Sequence, residues 1–329
     1  MTDSTPHTAH APHHSHNRLE HFPVAFFSTV MGTSGLAIAW QKAHAVLGAP
    51  EGIGQALAWW AMVLFVLATL VYVAKWAAHP AAVRAETGHP VKLNFFPAIS
   101  ISLLLLSAAF LADQPDMARV LWLIGAPLHL GFTLYVMSSW IHHTHYQIQH
   151  ANPAWFIPVV GNVVVPVAGV VVAPVEISWF FFSIGIVFWL ALFTIVLNRL
   201  FFHEPLPARL TPTLFILIAP PAVGFIAWLK LTGELDGFAR VLYYTALFLT
   251  LLLAANAARF FRVPFFLSSW AYSFPLAAIT IATLAMVERV GGGFASLSLL
   301  LLGVLSVVLA LLTARTLLAI GRGEICKPE

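Results

Sequence analysis

Charge is what this chain most lacks. Lys, Arg, Asp and Glu together make up 9% of its 329 residues, against about a quarter in an ordinary globular domain. With 60% hydrophobic residues and a mean hydropathy of +0.87, the chain has too little polar surface for a water-soluble fold and reads as a polytopic membrane protein. Cysteine is nearly absent too. Cys326 is the one thiol, which excludes an intramolecular disulfide and a thiolate metal cluster. A third absence is of acids and bases inside the apolar segments, where proton-coupled transporters carry them. Only His129 lies well inside a segment, and it reads either as a histidine bonded to a neighbouring helix beside Pro127 or as a proton or substrate site. No catalytic constellation is visible, so no enzyme activity and no cofactor are expected. Gly291, Gly292 and Gly293 lack the preceding strand and following lysine of a phosphate-binding loop, and no basic stripe suggests a nucleic-acid partner.

What the chain does have is ten apolar segments, at about 22–40, 54–77, 95–112, 118–140, 156–173, 177–199, 212–230, 238–261, 266–287 and 294–320, each near the ~20 residues that a spanning helix needs. Residues 1–21 form a His-rich tail without the basic start and apolar run of a cleavable signal, expected to be disordered. The transmembrane domain is expected over 22–320, with a second tail at 321–329. Eleven Lys and Arg fall on the side that holds both termini and five on the other, so the positive-inside rule puts both termini in the cytoplasm of a multi-pass protein of the inner (plasma) membrane. The histidines of the tail, and His142, His143, His145 and His150 between the fourth and fifth segments, have donors suited to zinc, copper or nickel. Without carboxylate or thiol beside them no metal site is assigned, and a metal-responsive role stands only as a third reading.

Prolines divide the segments into two classes. Pro23, Pro97, Pro158, Pro166, Pro212, Pro220, Pro221 and Pro275 all lie in odd-numbered segments, whereas Pro127 is alone among the even ones. A proline interrupts helical hydrogen bonding, and in a membrane the freed backbone must face protein or water. Odd segments also hold more Ser, Thr and Gly, from Ser28 and Gly32 in the first to Ser273 in the ninth. These patterns predict an all-α integral membrane protein: ten transmembrane helices as five helical-hairpin repeats of about 55–70 residues around a central pore, kinked odd helices inside and even helices outside. Pro166, Pro220 and Pro275 are the expected kinks. Hydroxyls, backbone amides and helix dipole ends would favour an anion weakly enough to release it.

The ninth segment concentrates these features. Ser269, Ser273, Thr280 and Thr283 share one helical face, and Phe274 lies about 100° round from Ser273. Pro275 disfavours a regular helix at Phe274. In a chain with 26 phenylalanines, core packing and an aromatic plug are both open readings of Phe274 from the residues alone.

The strings FPVAFFSTVMGTSGLAIAW in the first segment, NPAWFIPVVGNVVVP opening the fifth and WAYSFP in the ninth resemble the tellurite-resistance/C4-dicarboxylate transporter family, which includes TehA-type bacterial proteins and the plant slow-type (SLAC-type) guard-cell anion channels. The resemblance covers 22–320. It implies a homotrimer with one pore per protomer, closed by a phenylalanine that maps onto Phe274, with Ser28, Met31 and Gly32 facing the pore. It further implies a gated channel for small monovalent inorganic anions such as chloride and nitrate. The alternative is a carrier or exporter of C4-dicarboxylates such as malate, of sulfite or of tellurite, with proton coupling. Ser28 stands where glycine is common in the family.

Overall fold

The computed structural model describes residues 18–142 and 146–327; the expected features of 1–17, with most of the His-rich tail, and of His143 and His145 lie outside them. Among the described residues every regular element is helical. The even segments form long α-helices: α2 (Ile53–Ala78), α5 (Pro115–His142), α8 (Val175–Phe202), α10 (Gly237–Ala255) and α13 (Ala295–Gly321). Each odd segment begins as a 3₁₀ helix and continues as α, and of the even ones α13 also follows a short 3₁₀ turn, Gly292–Phe294. Val24–Phe26 leads into α1 (Phe27–Leu47), Lys92–Phe95 into α4 (Ala98–Phe110), and Ala208–Leu217 into α9 (Ala219–Thr232). Leu267–Tyr272 leads into α12 (Ser273–Val290), and the fifth segment alternates twice, Pro153–Trp155, α6 (Phe156–Val160), Gly161–Val164 and α7 (Val165–Val172). Short helices α3 (Pro80–Gly88) and α11 (Ala257–Phe260) lie in connections.

The prolines explain the breaks, though not as simple kinks. Pro166 and Pro220 occupy the first turns of α7 and α9, Pro275 is the third residue of α12, and Pro97 caps α4. At these positions the missing N–H would have no intrahelical acceptor anyway. The prolines therefore end a 3₁₀ run and start an α segment, where the sequence suggested bends in continuous helices.

Packing closes the inner segments into a ring. α1 contacts α4, α4 contacts α7, α7 contacts α9, α9 contacts α12, and α12 returns to α1. Each outer helix sits in the groove between its own hairpin partner and the next inner helix: α2 on α1 and α4, α5 on α4 and α7, α8 on α7 and α9, α10 on α9 and α12, α13 on α12 and α1. Burial follows the same division. The inner spans 92–110, 153–172, 208–232 and 267–290 have 89, 78, 67 and 78% of their most apolar stretch buried, the five outer ones 22 to 33%. Ten spans were expected, and nine helices of the described residues are long and apolar enough to cross a membrane. The exception is α1, whose residues Thr29 to Ala37 are all buried. Packed against α2, α4, α12 and α13, it meets protein rather than lipid and carries Ser, Thr and Gly that lower its hydropathy.

A buried charged pair holds the start of the first inner segment. Lys75 on α2 and Glu86 on α3 meet at 2.8 Å with side chains 4 and 6% exposed. Glu86 also accepts the Val24 N–H at 2.9 Å and the Tyr72 hydroxyl at 2.9 Å, while Lys75 donates to the Phe22 carbonyl at 2.8 Å. Two backbone groups of the entering chain are thereby satisfied where regular helix has not yet begun.

Candidate functional site: a five-walled cavity

All five inner segments contribute to one cavity of about 60 Å³. Ser28 and Met31 come from α1, Phe95 and Ile101 from the second inner segment, and Phe156, Val160, Gly161 and Val164 from the third. Ile216, Ala219, Pro220 and Val223 come from the fourth, and Trp270, Ala271, Phe274 and Pro275 from the fifth. The lining falls where 3₁₀ gives way to α, so the wall meets the N-terminal ends of α4, α9 and α12, where helix partial charge is positive. No lining residue is charged. Ser28 is the only hydroxyl there and makes no hydrogen bond among the described residues. The indole N–H of Trp270 is directed to Thr316 on α13 at 2.9 Å, leaving its ring face to the cavity.

Along α1, α9 and α12 the lining stops at Met31, Val223 and Pro275. The cavity therefore occupies the N-terminal part of the ring and ends at the level of Phe274. That side chain is partly buried against the large core cluster, and a β-carbon on Gly35 would lie 3.5 Å from its ring.

Of the residues singled out in the sequence, Ser28, Met31, Phe274, Pro220 and Pro275 are in this wall, and Gly32, Ser273 and Pro166 are not. Gly32 and Ser273 oppose each other where α1 crosses α12. A β-carbon on Gly32 would fall 2.2 Å from Ser273 Oγ and 2.6 Å from its Cβ, so glycine there permits close helix approach. The hydroxyl face of α12 is likewise turned inward to its own backbone. Ser273 donates to the Trp270 carbonyl at 2.6 Å, Thr280 to Leu276 at 2.7 Å and Thr283 to Ile279 at 2.8 Å. All three are fully buried. The aromatic contributors Phe95, Phe156 and Trp270 went unnoticed in the sequence; their signal was their place beside Pro97, Pro153 and Pro275 in broken segments.

His129 on α5 is buried completely behind this wall. Ser100 Oγ lies 2.8 Å from the Pro97 carbonyl oxygen and 2.9 Å from His129 Nδ1. Nε2 has no partner. A β-carbon on Gly161 would come within 2.8 Å of Nε2, which means that only a glycine backbone separates the imidazole from the cavity. Thr133 and Asn162 complete the polar cluster, with Asn162 Nδ2 donating to Thr133 Oγ1 at 3.0 Å. Among the described residues no group of three or more His, Cys, Asp or Glu could hold a metal ion.

The inner segments thus form a ring of five broken helices around an uncharged cavity. Residues 21–317 fit the model of the SLAC1 family, described as voltage-dependent anion channel. The chain belongs to this family. It is similar to the S-type anion channel SLAH3 of Arabidopsis thaliana, 33% identical over 273 residues, covering 80% of this chain and 42% of that one. The S-type anion channel SLAH2 of the same plant is 31% identical over 282 residues, 82% of this chain and 54% of the relative. The tellurite resistance protein TehA homolog of Haemophilus influenzae is 23% identical over 304 residues, 92% of each chain. The chain thus spans about half the length of the plant relatives and nearly all of the bacterial one. The family is one of channels and transporters rather than enzymes.

Proposed function

We propose that this protein is a gated anion channel, conducting small monovalent anions such as chloride and nitrate, with Phe274 as its gate and Ser28 and Met31 in the pore wall. The observation that carries the reading is the cavity built from all five inner segments, uncharged and ending at Phe274. An anion in such a wall meets helix ends and one free hydroxyl rather than a lysine or arginine that would retain it. The names of the plant relatives, S-type anion channels, support the same reading. We further infer a homotrimer in the inner (plasma) membrane with both termini cytoplasmic, the orientation given by the Lys and Arg bias.

Phe274→Ala tests the gate. Anion flux through liposomes holding the purified variant is expected to rise several-fold over wild type, with a reversal potential that follows the chloride gradient. Unchanged flux in a folded variant would sink the assignment. One observation favours a second reading, a proton-linked carrier of dicarboxylate, sulfite or tellurite: the unpartnered Nε2 of His129 one glycine away from the cavity. A carrier would show substrate-dependent proton uptake, lost in His129→Phe, and a reversal potential that shifts with pH.

A further inference from the structure

Three inner helices end in charged residues at one end of the ring. Each heptad step along an α-helix drifts the face by about 20°. Counting in sevens from Phe274 on α12, two steps reach Glu288; from Val223 on α9 one step reaches Lys230; and Lys42 on α1 lies eleven residues, about three turns, beyond Met31. The side chains converge. Lys42 Nζ lies 2.5 Å from Glu288 Oε2, Arg289 donates to the Gly233 carbonyl at 2.9 Å, and Lys230 interacts electrostatically with Lys42, Glu288 and Arg289. Lys230 has no hydrogen-bond or ion-pair partner among the described residues.

We propose that this mouth is an anion-capture site in which Lys42, Lys230 and Arg289 raise the local anion concentration and Glu288 limits it. Three cations against one carboxylate leave the cluster at a net charge of two positive. The rest of this end of the molecule is different. Its remaining acids, Glu51, Asp113, Asp116, Glu176, Glu234 and Asp236, lie in the connections or at the starts of outer helices. Asp113 accepts from Gln55 at 3.0 Å, and Asp236 caps α10 through the Ala239 N–H at 2.8 Å. Of the five Lys and Arg of this end, Lys42, Lys230 and Arg289 lie on the inner helices, whereas Arg119 and Arg240 sit near the starts of the outer helices α5 and α10 among the acids. Cations at helix C-termini also interact favourably with the helix dipole, and that role alone would affect stability without making conduction depend on salt.

The proposal rests on the channel reading above, and its test is built to fail separately. A charge at the mouth acts through a field whose reach falls from about 30 Å at 0.01 M salt to about 3 Å at 1 M. In the Phe274→Ala background and in wild type, Lys230→Gln is expected to lower chloride flux about threefold at 0.01 M salt, the effect of one unit charge at about 7 Å in water. Glu288→Gln should raise flux by a similar factor, and both effects should vanish at 1 M. Flux in Phe274→Ala with no response to either substitution at low salt, or the same response at both salts, overturns the capture site and leaves the gate standing. Absence of anion flux from wild type and Phe274→Ala alike overturns both readings.

Discussion

Gly32→Ala gives the most direct check of the crossing between α1 and α12. The added methyl would sit 2.2 Å from Ser273 Oγ, 2.6 Å from its Cβ and 3.2 Å from Trp270 Cε3. None of these can move freely. Ser273 is fully buried and bound to the Trp270 carbonyl at 2.6 Å, and Trp270 is tied to Thr316 at 2.9 Å. Turning the hydroxyl aside would leave it unsatisfied, about 1–3 kcal/mol, and would not relieve the clash with Cβ. Separating the helices adds about 1–3 kcal/mol of overpacking, so a total of about 2–6 kcal/mol is expected. At roughly 2 °C per kcal/mol for a chain of this size, the thermal midpoint in detergent should fall by about 4–12 °C. Ser273→Gly alone should destabilise modestly, by about 1–2 kcal/mol for the lost bond and the glycine. The double variant should be more stable than Gly32→Ala, a coupling of about 1–3 kcal/mol. Additive effects of the two substitutions would refute the seam, as would enhanced anion flux in Ser273→Gly comparable to that in Phe274→Ala.

Glu86→Gln removes the carboxylate that serves Lys75, Tyr72 and the Val24 N–H, and breaking a buried pair from one side costs about 3–5 kcal/mol; the thermal midpoint should drop, and Lys75→Met together with Glu86→Gln should recover part of the loss. Pro220→Ala with Pro221→Ala lets α9 extend backward into the ten-residue 3₁₀ run Ala208–Leu217. Over the three residues from Ala219 back to Ile216 the change from 3₁₀ to α shortens the rise by about 1.5 Å and rotates the side chain by about 60°. Ile216→Cys, in a chain with Cys326→Ser, should then lose its reactivity toward a small aqueous thiol reagent. Equal labelling with and without the prolines would show that packing alone sets the 3₁₀ geometry.

The inner and outer classes were legible in the sequence because their physical cause is compositional. Proline and hydroxyl residues need protein or water around them, whereas Leu299–Leu300 or Val304 can face lipid, and those three side chains are exposed. Phe274 was not: from the residues alone core packing and a plug were both open, and the plug reading came from the family resemblance. The hydroxyl stripe of α12 was misleading: Ser and Thr in a membrane helix satisfy themselves on the carbonyl three or four residues back, so their periodicity cannot distinguish a pore face from a packing seam. Gly32 had the same ambiguity. The mouth cluster was out of reach, because Lys42 and Glu288 are 246 residues apart in sequence and only the closure of the ring brings them together. The cooperation of Ser100, His129 and Asn162 depends likewise on three different helices.

Ser273 of the seam and Phe274, the proposed gate, are consecutive residues, and this restricts how the proposed pore could open. Ser273 is locked against Gly32, and one turn further on a β-carbon on Gly35 would be only 2.7 Å from Ala277 Cβ. The two backbones are therefore at close approach on both sides of Phe274. Sliding or separating α12 from α1 at this level would break a close-packed contact along two turns, and interiors packed at this density resist small displacements. Rotation of the Phe274 side chain disturbs much less. Its ring borders the cavity on one side and meets the Gly35 position at ordinary contact distance, 3.5 Å, on the other. On the channel reading, opening is then a rotamer change at one residue carried by a fixed backbone. Substitutions that tighten the seam should leave the open-state flux of Phe274→Ala unchanged, whereas a gate moved by helix displacement would lose flux with every increase in seam stability.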